Sequence, residues 1–368
     1  MGILRRRGLW LALLGLGLLV FPWLFNTYIN YLASLIAVWV VVALGLNLLT
    51  GYTAQISLGH GALLAIGAYT AAIATTHAGL PYWVALLLAG AVTGLVGFLI
   101  GIPALRLEGP YLAIATLGLA LSVPSLLLKY DRLQVLGLDL PFSGGVQGIT
   151  ARQEIGVPSF LSGTLAEDQW TYYFVIVVAA VMTVLAWNIV RSRTGRAFIA
   201  LRDSEVAAQA MGVSLRRYKT MAFALSAFYT GIAGGLYVVL IKFVSPDSFL
   251  LLLSITFLTM IVVGGLGTIT GSILGAAFIT ILEAMLSSIL RLVPAILPPG
   301  FLPGLADNAS GAVWLVYGAV LILVMIFMPS GLYGFVRRIA RRVGRPIGPS
   351  PVARPRPDLG LDAGPPAD

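Results

Sequence analysis

One run of this sequence combines three side chains that could bind or transform a polar molecule with several glycines. Residues 51–61 (GYTAQISLGHG) place Gln55, Ser57 and His60 beside a helix start that is broken by glycines. Amide, hydroxyl and imidazole groups can exchange hydrogen bonds with a polar solute. We therefore expect this run to belong to a passage or binding site for such a solute.

The apolar stretches contain almost no ionisable residue, and Glu283 is the clear exception. A charge within a membrane is costly, so its carboxylate should face protein or water rather than lipid. Arg291 follows eight residues later and could reach the carboxylate by extending along the helix. A structural ion pair is therefore an alternative to a role in transport.

Several kinds of chemistry are excluded by what the sequence lacks. It has no cysteine for a disulfide, a thiolate metal site or a thiol nucleophile, and its two histidines, His60 and His77, are far apart. It offers no convincing cluster of the residues that an intramembrane enzyme needs. No Gly-x-x-x-x-Gly-Lys occurs and only three lysines are present, so the chain cannot bind ATP as P-loop proteins do. The sequence predicts no catalytic site, no metal site and no cofactor bound by this chain.

Composition places the chain in a membrane. Of its 368 residues, 59% are hydrophobic and 10% are charged, which leaves too little polar surface for a soluble protein. Ten apolar stretches are close to the length that crosses a bilayer as a helix. They are residues 9–25, 29–49, 57–76, 82–101, 110–129, 171–190, 218–241, 249–263, 269–290 and 311–328. Spans 57–76 and 249–263 are the least regular, and either could be broken or re-entrant.

The distribution of basic residues predicts how the spans are oriented. If the N-terminus is cytoplasmic, 18 of the 23 Lys and Arg residues fall on the cytoplasmic side. This asymmetry follows the general rule for membrane proteins, and it explains a net charge of +9 without any nucleic acid. Both termini are therefore predicted to be cytoplasmic.

Residues 191–219, named here the polar loop, contain seven of the basic residues and have a helical pattern. Asp203 or Ser204 can cap a short helix, with Glu205 in its first turn and Gly212 as the left-handed residue that ends it. A second helix can begin two residues after that glycine. Small apolar side chains would then form a smooth face suited to docking into another protein: Ala207, Ala208, Ala210 and Met211. The alternative is a solvated basic loop that only sets the orientation of the chain.

The pattern Glu205-x-Ala207-Ala208-x-x-x-Gly212 resembles the EAA-type coupling loop of ABC importer permeases. The sequences on either side are similar to the branched-chain amino-acid permease family, specifically its LivM-type subunit. The resemblance extends from about residue 47 to residue 334.

Three further segments carry the same resemblance. Residues 51–61 and 109–118 (GPYLAIATLG) match family segments, although Thr53 stands where a glycine or another small residue is usual. Residues 142–149 (FSGGVQGI) look like a third segment, with Ser143 in place of threonine. An ordinary glycine-rich turn is the alternative for this third segment.

The resemblance implies three groups of site residues. Contact with an ATPase is expected at Asp203, Glu205, Ala207, Ala208, Met211 and Gly212. The candidate translocation pathway comprises Gln55, Ser57, Gly59, His60, Thr116 and Glu283. An outer-face loop, within residues 130–170, contains Ser143, Gly144, Gly145 and Gly148.

The fold implied by the resemblance is an all-α polytopic membrane protein of the type II-like ABC importer architecture. Because the second and seventh spans run in opposite directions, an internal repeat would be inverted. Expected partners are a homologous LivH-type permease subunit, two cytoplasmic ATPases that carry ATP and Mg, a periplasmic binding protein, and membrane lipid. The expected location is a bacterial-type inner membrane.

Leucine, isoleucine or valine fits best as the substrate under this resemblance. Urea, short amides and other amino acids remain alternatives, because near relatives carry them. An ion-coupled secondary transporter is a less favoured alternative, since that class usually needs several titratable groups at mid-membrane and the spans offer one glutamate.

Two pairs of small residues have the spacing that lets helices approach closely in lipid. They are Gly67 with Ala71, and Gly271 with Gly275.

The domain organisation is simple. Residues 1–345 are predicted to form one transmembrane permease domain, and the Pro-rich tail 346–368 is predicted to be disordered in the cytoplasm.

Overall fold

The structure is a computed structural model that describes residues 15, 17–107, 109–130, 132–135, 138–141, 144–150, 166–296, 318–319, 322–323, 326 and 331–342. The predicted tail and most of the predicted span 311–328 lie outside the described residues. So do Ser143 and much of the loop 130–170. Of the predicted span 9–25, residues 15 and 17–25 are described, and all of these except residue 25 are helical.

The described residues are mainly helical. The helices are α1 (Thr27–Leu46), α2 (His60–Thr76), α3 (Tyr82–Ala104), α4 (Pro110–Lys129), α5 (Glu167–Arg191), α6 (Arg193–Asp203), α7 (Glu205–Ala210), α8 (Leu215–Ile241), α9 (Leu251–Gly264), α10 (Ile269–Ile296) and α11 (Gly331–Arg342). A π-helical turn, Asn47–Gly51, extends α1. Four short strands form two antiparallel pairs: β1 (Arg132–Val135) with β2 (Leu138–Pro141), and β3 (Ile149–Thr150) with β4 (Phe243–Val244).

Seven helical segments among the described residues are long and apolar enough to cross a membrane. They are Thr27–Gly51, Tyr82–Ala104, Pro110–Lys129, Glu167–Arg191, Leu215–Ile241, Pro246–Gly264 and Ile269–Ser288. The chain is therefore a multi-pass, helical membrane protein. Each of these segments overlaps one predicted span. An eighth predicted span, 57–76, contains α2, which has 17 residues and begins at His60 because the chain before it is not helical.

Local sequence signals explain where several helices begin. Asn26 caps α1, its side-chain oxygen accepting a hydrogen bond from the Ile29 backbone N–H over 3.0 Å. Pro110 opens α4, where its missing N–H costs nothing. Glu167 and Asp168 lie in the first turn of α5, where the helix dipole favours negative charge.

Helix α8 is at the centre of the bundle and packs against α1, α2 and α3. Its contacts with α2 and α3 depend on glycine. A Cβ at Gly231 would lie 2.5 Å from the carbonyl oxygen of Ala89 in α3, and a Cβ at Gly67 would lie 2.5 Å from the Cα of Gly231. The backbones of three helices therefore meet at Gly231, as expected for helices that associate in lipid through small residues.

Helices α9 and α10 approach each other in the same way. A Cβ at Gly275 would collide with the carbonyl oxygen of Met260, and one at Gly271 would lie 2.6 Å from the carbonyl oxygen of Gly265. The small-residue spacing around Gly67 and at Gly271–Gly275 thus corresponds to close helix contacts.

Two ends of the bundle can be distinguished by their contacts. At one end, named here the loop end, Arg202 of α6 donates a hydrogen bond to the Gly51 carbonyl oxygen over 2.8 Å. At the opposite end, Lys242 after α8 forms an ion pair with Glu167 at the start of α5, and β3 pairs with β4. The polar loop and the C-terminal end of α1 therefore lie at the same end of the bundle.

Candidate functional site

The polar loop folds into α6, α7 and the start of α8, and each helix begins at a capping serine. The hydroxyl of Ser192 accepts a hydrogen bond from the Thr194 backbone N–H over 3.1 Å, and that of Ser204 accepts one from Ala207 over 3.2 Å. Ser214 caps α8 in the same way. The sequence predicted one short helix before α8; the structure has two, because the extended backbone at Ser204 separates them.

Asp203 and Glu205 lie on either side of that break. Asp203 is the exposed last residue of α6, so the cap of α7 is Ser204. The Glu205 carboxylate lies 2.6 Å from the ammonium of Lys219, whose side chain is almost fully buried. A buried ammonium needs such a partner, so Glu205 holds α7 against α8. It is a structural tie within the loop.

The apolar side chains of α7 and its C-terminal turn divide into two sides. Val206 and Met211 are 81% and 84% exposed, whereas Ala208 is 4% exposed. Ala207 and Ala210 are exposed as well. The outward surface, named here the α7 face, therefore consists of Val206, Ala207, Ala210 and Met211. The predicted face included Ala208, but this side chain points inward. Ala208 is three positions after Glu205, so the two share the side of α7 that faces α8.

Gly212 ends α7 in the left-handed conformation that the sequence predicted. Its φ is +82°, and no atom lies within 4 Å of where a Cβ would be. The backbone N–H of Val213 donates to the Ala208 carbonyl oxygen over 3.0 Å, which closes the turn. A groove of about 400 Å³ lies beside this turn, lined by Leu105, Glu205, Gln209, Val213, Ser214, Leu215, Arg216 and Lys219.

Arg202 connects the polar loop to two interruptions in the membrane-spanning helices. Its guanidinium bonds Gly51 at the end of the π-helical turn, and a Cβ at Gly267, in the turn between α9 and α10, would lie 2.5 Å from its Nη1 atom. Asn47 joins the same two regions. Its Oδ1 accepts from the Gly267 N–H over 2.9 Å, and its Nδ2 donates to the Thr268 carbonyl oxygen and to the Ser272 hydroxyl.

Residues 54–59 are not helical, although they lie between two apolar helices. Thr50 donates to the carbonyl oxygen of Gln55 over 3.0 Å, and the Gln55 amide donates to the hydroxyl of Thr53 over 2.8 Å. Side chains thus supply hydrogen bonds within the broken segment, as backbone at membrane depth requires. Ala54 and Ile56 are exposed, whereas Thr53, Gln55 and Ser57 are buried.

His60 is the centre of a buried polar cluster at the start of α2. Its Nδ1 lies 3.2 Å from the Ser57 hydroxyl oxygen, and its Nε2 lies 2.7 Å from that of Ser226 in α8. Thr116 of α4 accepts from the Leu58 N–H, and Ser254 of α9 accepts from the Gly61 N–H. The cluster therefore joins the broken segment to three other helices.

The cluster is deep in the bundle. Ser226 lies eleven residues into α8, roughly 16 Å along the helix from its first residue and near its middle. Gly59 is buried beside α4, where a Cβ would lie 3.1 Å from the Thr116 carbonyl oxygen. Five predicted residues are thus brought together: Gln55, Ser57, Gly59, His60 and Thr116. The ring nitrogens of His60 and the hydroxyl of Thr116 all have hydrogen-bond partners, whereas Gln55 Oε1 has none among the described residues.

Glu283 lies apart from this cluster. It is partly exposed in α10, and no hydrogen bond between described residues connects it to His60 or its partners. The proposed ion pair with Arg291 falls on a side chain outside those that the structure describes. Among the described residues, no group of three His, Cys, Asp or Glu side chains could hold a metal ion.

The glycines of the predicted outer-face loop form a tight turn. Gly144, Gly145 and Gly148 all have positive φ, at +66°, +58° and +65°. A Cβ at Gly148 would collide with the carbonyl oxygen of Val244 in β4. The turn is therefore fixed against the segment that follows α8, a contact that the sequence did not predict.

Five residues of the site were missed by the sequence analysis: Asn47, Arg202, Val206, Ser226 and Ser254. Asn47, Ser226 and Ser254 are polar residues within apolar spans, a signal that was present in the sequence. Arg202 carried no such signal, since it is one of seven basic residues in the polar loop.

Comparison with known proteins shows that the chain is similar to membrane transport permeases, in agreement with its membrane-spanning helices. Residues 28–328 match the model of a family described as "Branched-chain amino acid transport system / permease component". The high-affinity branched-chain amino acid transport system permease protein LivM of Escherichia coli K12 is 33% identical over 329 residues, covering 83% of this chain and 70% of the relative. LivM of Salmonella typhimurium is also 33% identical, over 317 residues, with the same coverage.

A more distant relative belongs to an archaeon. The probable branched-chain amino acid transport permease protein LivH of Methanocaldococcus jannaschii is 25% identical over 307 residues, covering 80% of this chain and 88% of the relative. No solved structure matches the chain. Since the family model covers most of the sequence and every helix from α1 to α10, this chain belongs to the family of branched-chain amino acid transport system permease components.

Proposed function

We propose that this chain is the LivM-type permease subunit of an ATP-driven, binding-protein-dependent importer of leucine, isoleucine and valine. The observation that carries the proposal is the 33% identity to LivM over 83% of the chain. The α7 face adds physical support, because exposed apolar groups such as Val206 and Met211 at the tip of a polar loop favour a protein contact.

The partner of the α7 face is an ATPase in this proposal. The sequence has no P-loop, so hydrolysis must occur on separate subunits. Motion of α7 would reach the membrane through Arg202, which is bonded to Gly51 and lies against Gly267. Both glycines adjoin interruptions in the helices, where backbone can move without breaking a regular helix.

The second permease subunit would be a homologue of the LivH type, which the similarity to an archaeal LivH supports. We place the translocation pathway between the two subunits, along the exposed side of residues 54–59. Non-helical backbone at membrane depth is tolerated where it lines a cavity or contacts protein, and Ala54 and Ile56 are exposed there. Ser57, His60 and Thr116 hold this segment in place, and Gln55 contributes an oxygen that has no hydrogen-bond partner within the described part of the chain. Glu283 in α10 is a further candidate residue of the translocation pathway.

The loop end is cytoplasmic in this proposal, because it carries the seven basic residues of the polar loop. Both termini are then cytoplasmic, about ten spans cross a bacterial-type inner membrane, and the binding protein docks at the opposite end, near Gly144–Gly148 and β4. Transport driven by ions is disfavoured, because it usually needs several titratable groups within the membrane and the spans offer one glutamate, Glu283.

The α7 face provides the test. Met211→Glu should lower co-purification of the ATPase by about tenfold or more, because an unpaired charge buried at an interface costs about 3 kcal/mol or more. Uptake of radiolabelled leucine, isoleucine and valine should fall with it. Arg217→Gln, an exposed change in the same loop, should leave both near the unmodified level. Equal ATPase recovery from Met211→Glu and unmodified protein would show that the α7 face is not the contact.

Gly212 provides a second test, of coupling. Valine at φ +82° is strained by roughly 1–2 kcal/mol or more, whereas asparagine tolerates this conformation. Gly212→Val should therefore reduce substrate-stimulated ATP hydrolysis several-fold in the purified complex, with membrane levels preserved. Gly212→Asn should retain most of the stimulation. Similar stimulation in the two variants would mean that the turn does not control α7.

A further inference from the structure

Helix α11 (Gly331–Arg342) follows the part of the chain that matches the family model, which ends at residue 328. Its sequence, GLYGFVRRIARR, contains four arginines and no acidic residue. Neither the family match nor the proposed transport function assigns a role to it.

The first turn of α11 lies at the loop end of the bundle. A Cβ at Gly331 would lie 2.8 Å from both the Cα and the backbone nitrogen of Gly265, which begins the turn between α9 and α10. Leu332 is partly buried against the hydrophobic core. Since that turn joins two membrane-spanning helices, α11 begins where apolar spans end, at the level of a membrane surface.

The pattern of α11 separates apolar from basic residues. At 100° per residue, the sequence pattern puts Leu332, Phe335, Val336 and Ile339 on one side of the helix. The arginines, Tyr333, Gly334 and Ala340 fall on the remainder of the circumference. Phe335 and Val336 are 45% and 46% exposed, so the described residues leave this side partly uncovered at these two positions. Arg338 is exposed as well.

We propose that α11 is an interfacial helix whose apolar side inserts between lipids and whose arginines bind anionic lipid headgroups of the leaflet at the loop end. An amphipathic helix with arginine on its polar side and exposed Phe and Val on the other binds such a surface through apolar burial plus attraction to acidic lipids. Phosphate oxygens accept hydrogen bonds from guanidinium groups with good geometry. The helix sequence has four arginines and no acidic residue, and Arg338 is exposed, which gives the charge complementarity to an anionic surface.

The absence of cysteine allows a clean test. Phe335→Cys creates a single labelling site in an otherwise cysteine-free chain, and Gly334→Cys creates a matched site one residue away on the polar side. Each full-length variant is labelled with an environment-sensitive fluorophore and reconstituted into vesicles of phosphatidylcholine alone or mixed with phosphatidylglycerol. A quencher attached to the lipid acyl chains then reports whether each label is inserted.

We expect a blue-shifted, strongly quenched label at position 335 in the vesicles with phosphatidylglycerol, and weaker quenching in phosphatidylcholine alone. The label at position 334 should be quenched less in both. Changing Arg337, Arg338, Arg341 and Arg342 to Gln together should remove the dependence on phosphatidylglycerol. Changing Arg216 and Arg217 to Gln, which are basic residues of the polar loop, should preserve it.

Equal quenching at position 335 in the two vesicle types would overturn the proposal, as would quenching that survives the four changes. A label that becomes protected only after the ATPase is added would assign the surface to a protein contact and would overturn it as well. The comparison of the two vesicle types uses this chain without the ATPase, so a failure of the proposed transport function would not alter its outcome.

Discussion

Gly231→Leu is expected to prevent the chain from reaching its folded state. Gly231 in α8 lies between α2 and α3, and a Cβ there would be 2.5 Å from the Ala89 carbonyl oxygen and 2.6 Å from Thr93. Backbone atoms cannot give way as a flexible side chain can. Even Gly231→Ala should cost about 1–3 kcal/mol through overpacking, and leucine should separate the three helices.

Size-exclusion chromatography of a fluorescent fusion in detergent measures this effect through the monodisperse fraction. Gly118→Leu is the matched control, because Gly118 is also helical, in α4, and no atom lies within 4 Å of where its Cβ would be. We expect normal recovery for Gly118→Leu, a reduced fraction for Gly231→Ala and aggregation for Gly231→Leu. A normal fraction for Gly231→Leu would contradict the close crossing at this position.

The positions of the helices were largely predictable, because length and apolar content determine what can cross a bilayer. The predicted span 110–129 coincides with α4, bounded by Pro110 and Lys129. The predicted span 57–76 began three residues before α2. Apolar composition does not distinguish a helix from a buried broken segment. Only part of what holds residues 54–59 is local, because the Leu58 N–H also donates to Thr116 of α4, 58 residues away.

The site was predictable only in part. The serine caps and Gly212 follow from local chemistry, so they could be identified from the sequence. The orientation of Ala208 could not, because the break at Ser204 sets the rotation of α7. Likewise, His60 was identified by residue type, but its partner Ser226 lies 166 residues away, and no local pattern connects them.

Asn47 shows how such distant contacts join the loop to the bundle. It sits at the start of the π-helical turn, bonds three groups around the α9–α10 turn, and lies beside Gly51, to which Arg202 of the polar loop is bonded. Single π-helical turns occur frequently at functional sites. One junction thus holds together the C-terminal end of α1, the polar loop and the α9–α10 turn.

Asn47→Leu is therefore expected to destabilise the protein by about 3 kcal/mol. The Gly267 N–H would lose its acceptor in a buried position, which alone costs about 1–3 kcal/mol, and two further hydrogen bonds would be lost. Thr268 would remain bonded to Ser272, so it adds little. Thermal unfolding followed by size exclusion should show a midpoint lower by about 5 °C or more.

Asn30→Leu provides the matched control on the same helix. Asn30 is as buried as Asn47, but its amide makes one side-chain hydrogen bond, to the Pro22 carbonyl oxygen, and its Oδ1 has no partner among the described residues. Leucine would remove that unsatisfied oxygen, and Gln169 would still donate to Pro22. Removing both an unsatisfied atom and a single bond should be nearly neutral. If Asn30→Leu lowered the midpoint as much as Asn47→Leu, the loss would reflect a buried asparagine in general, and the junction at Asn47 would have no special part in stability.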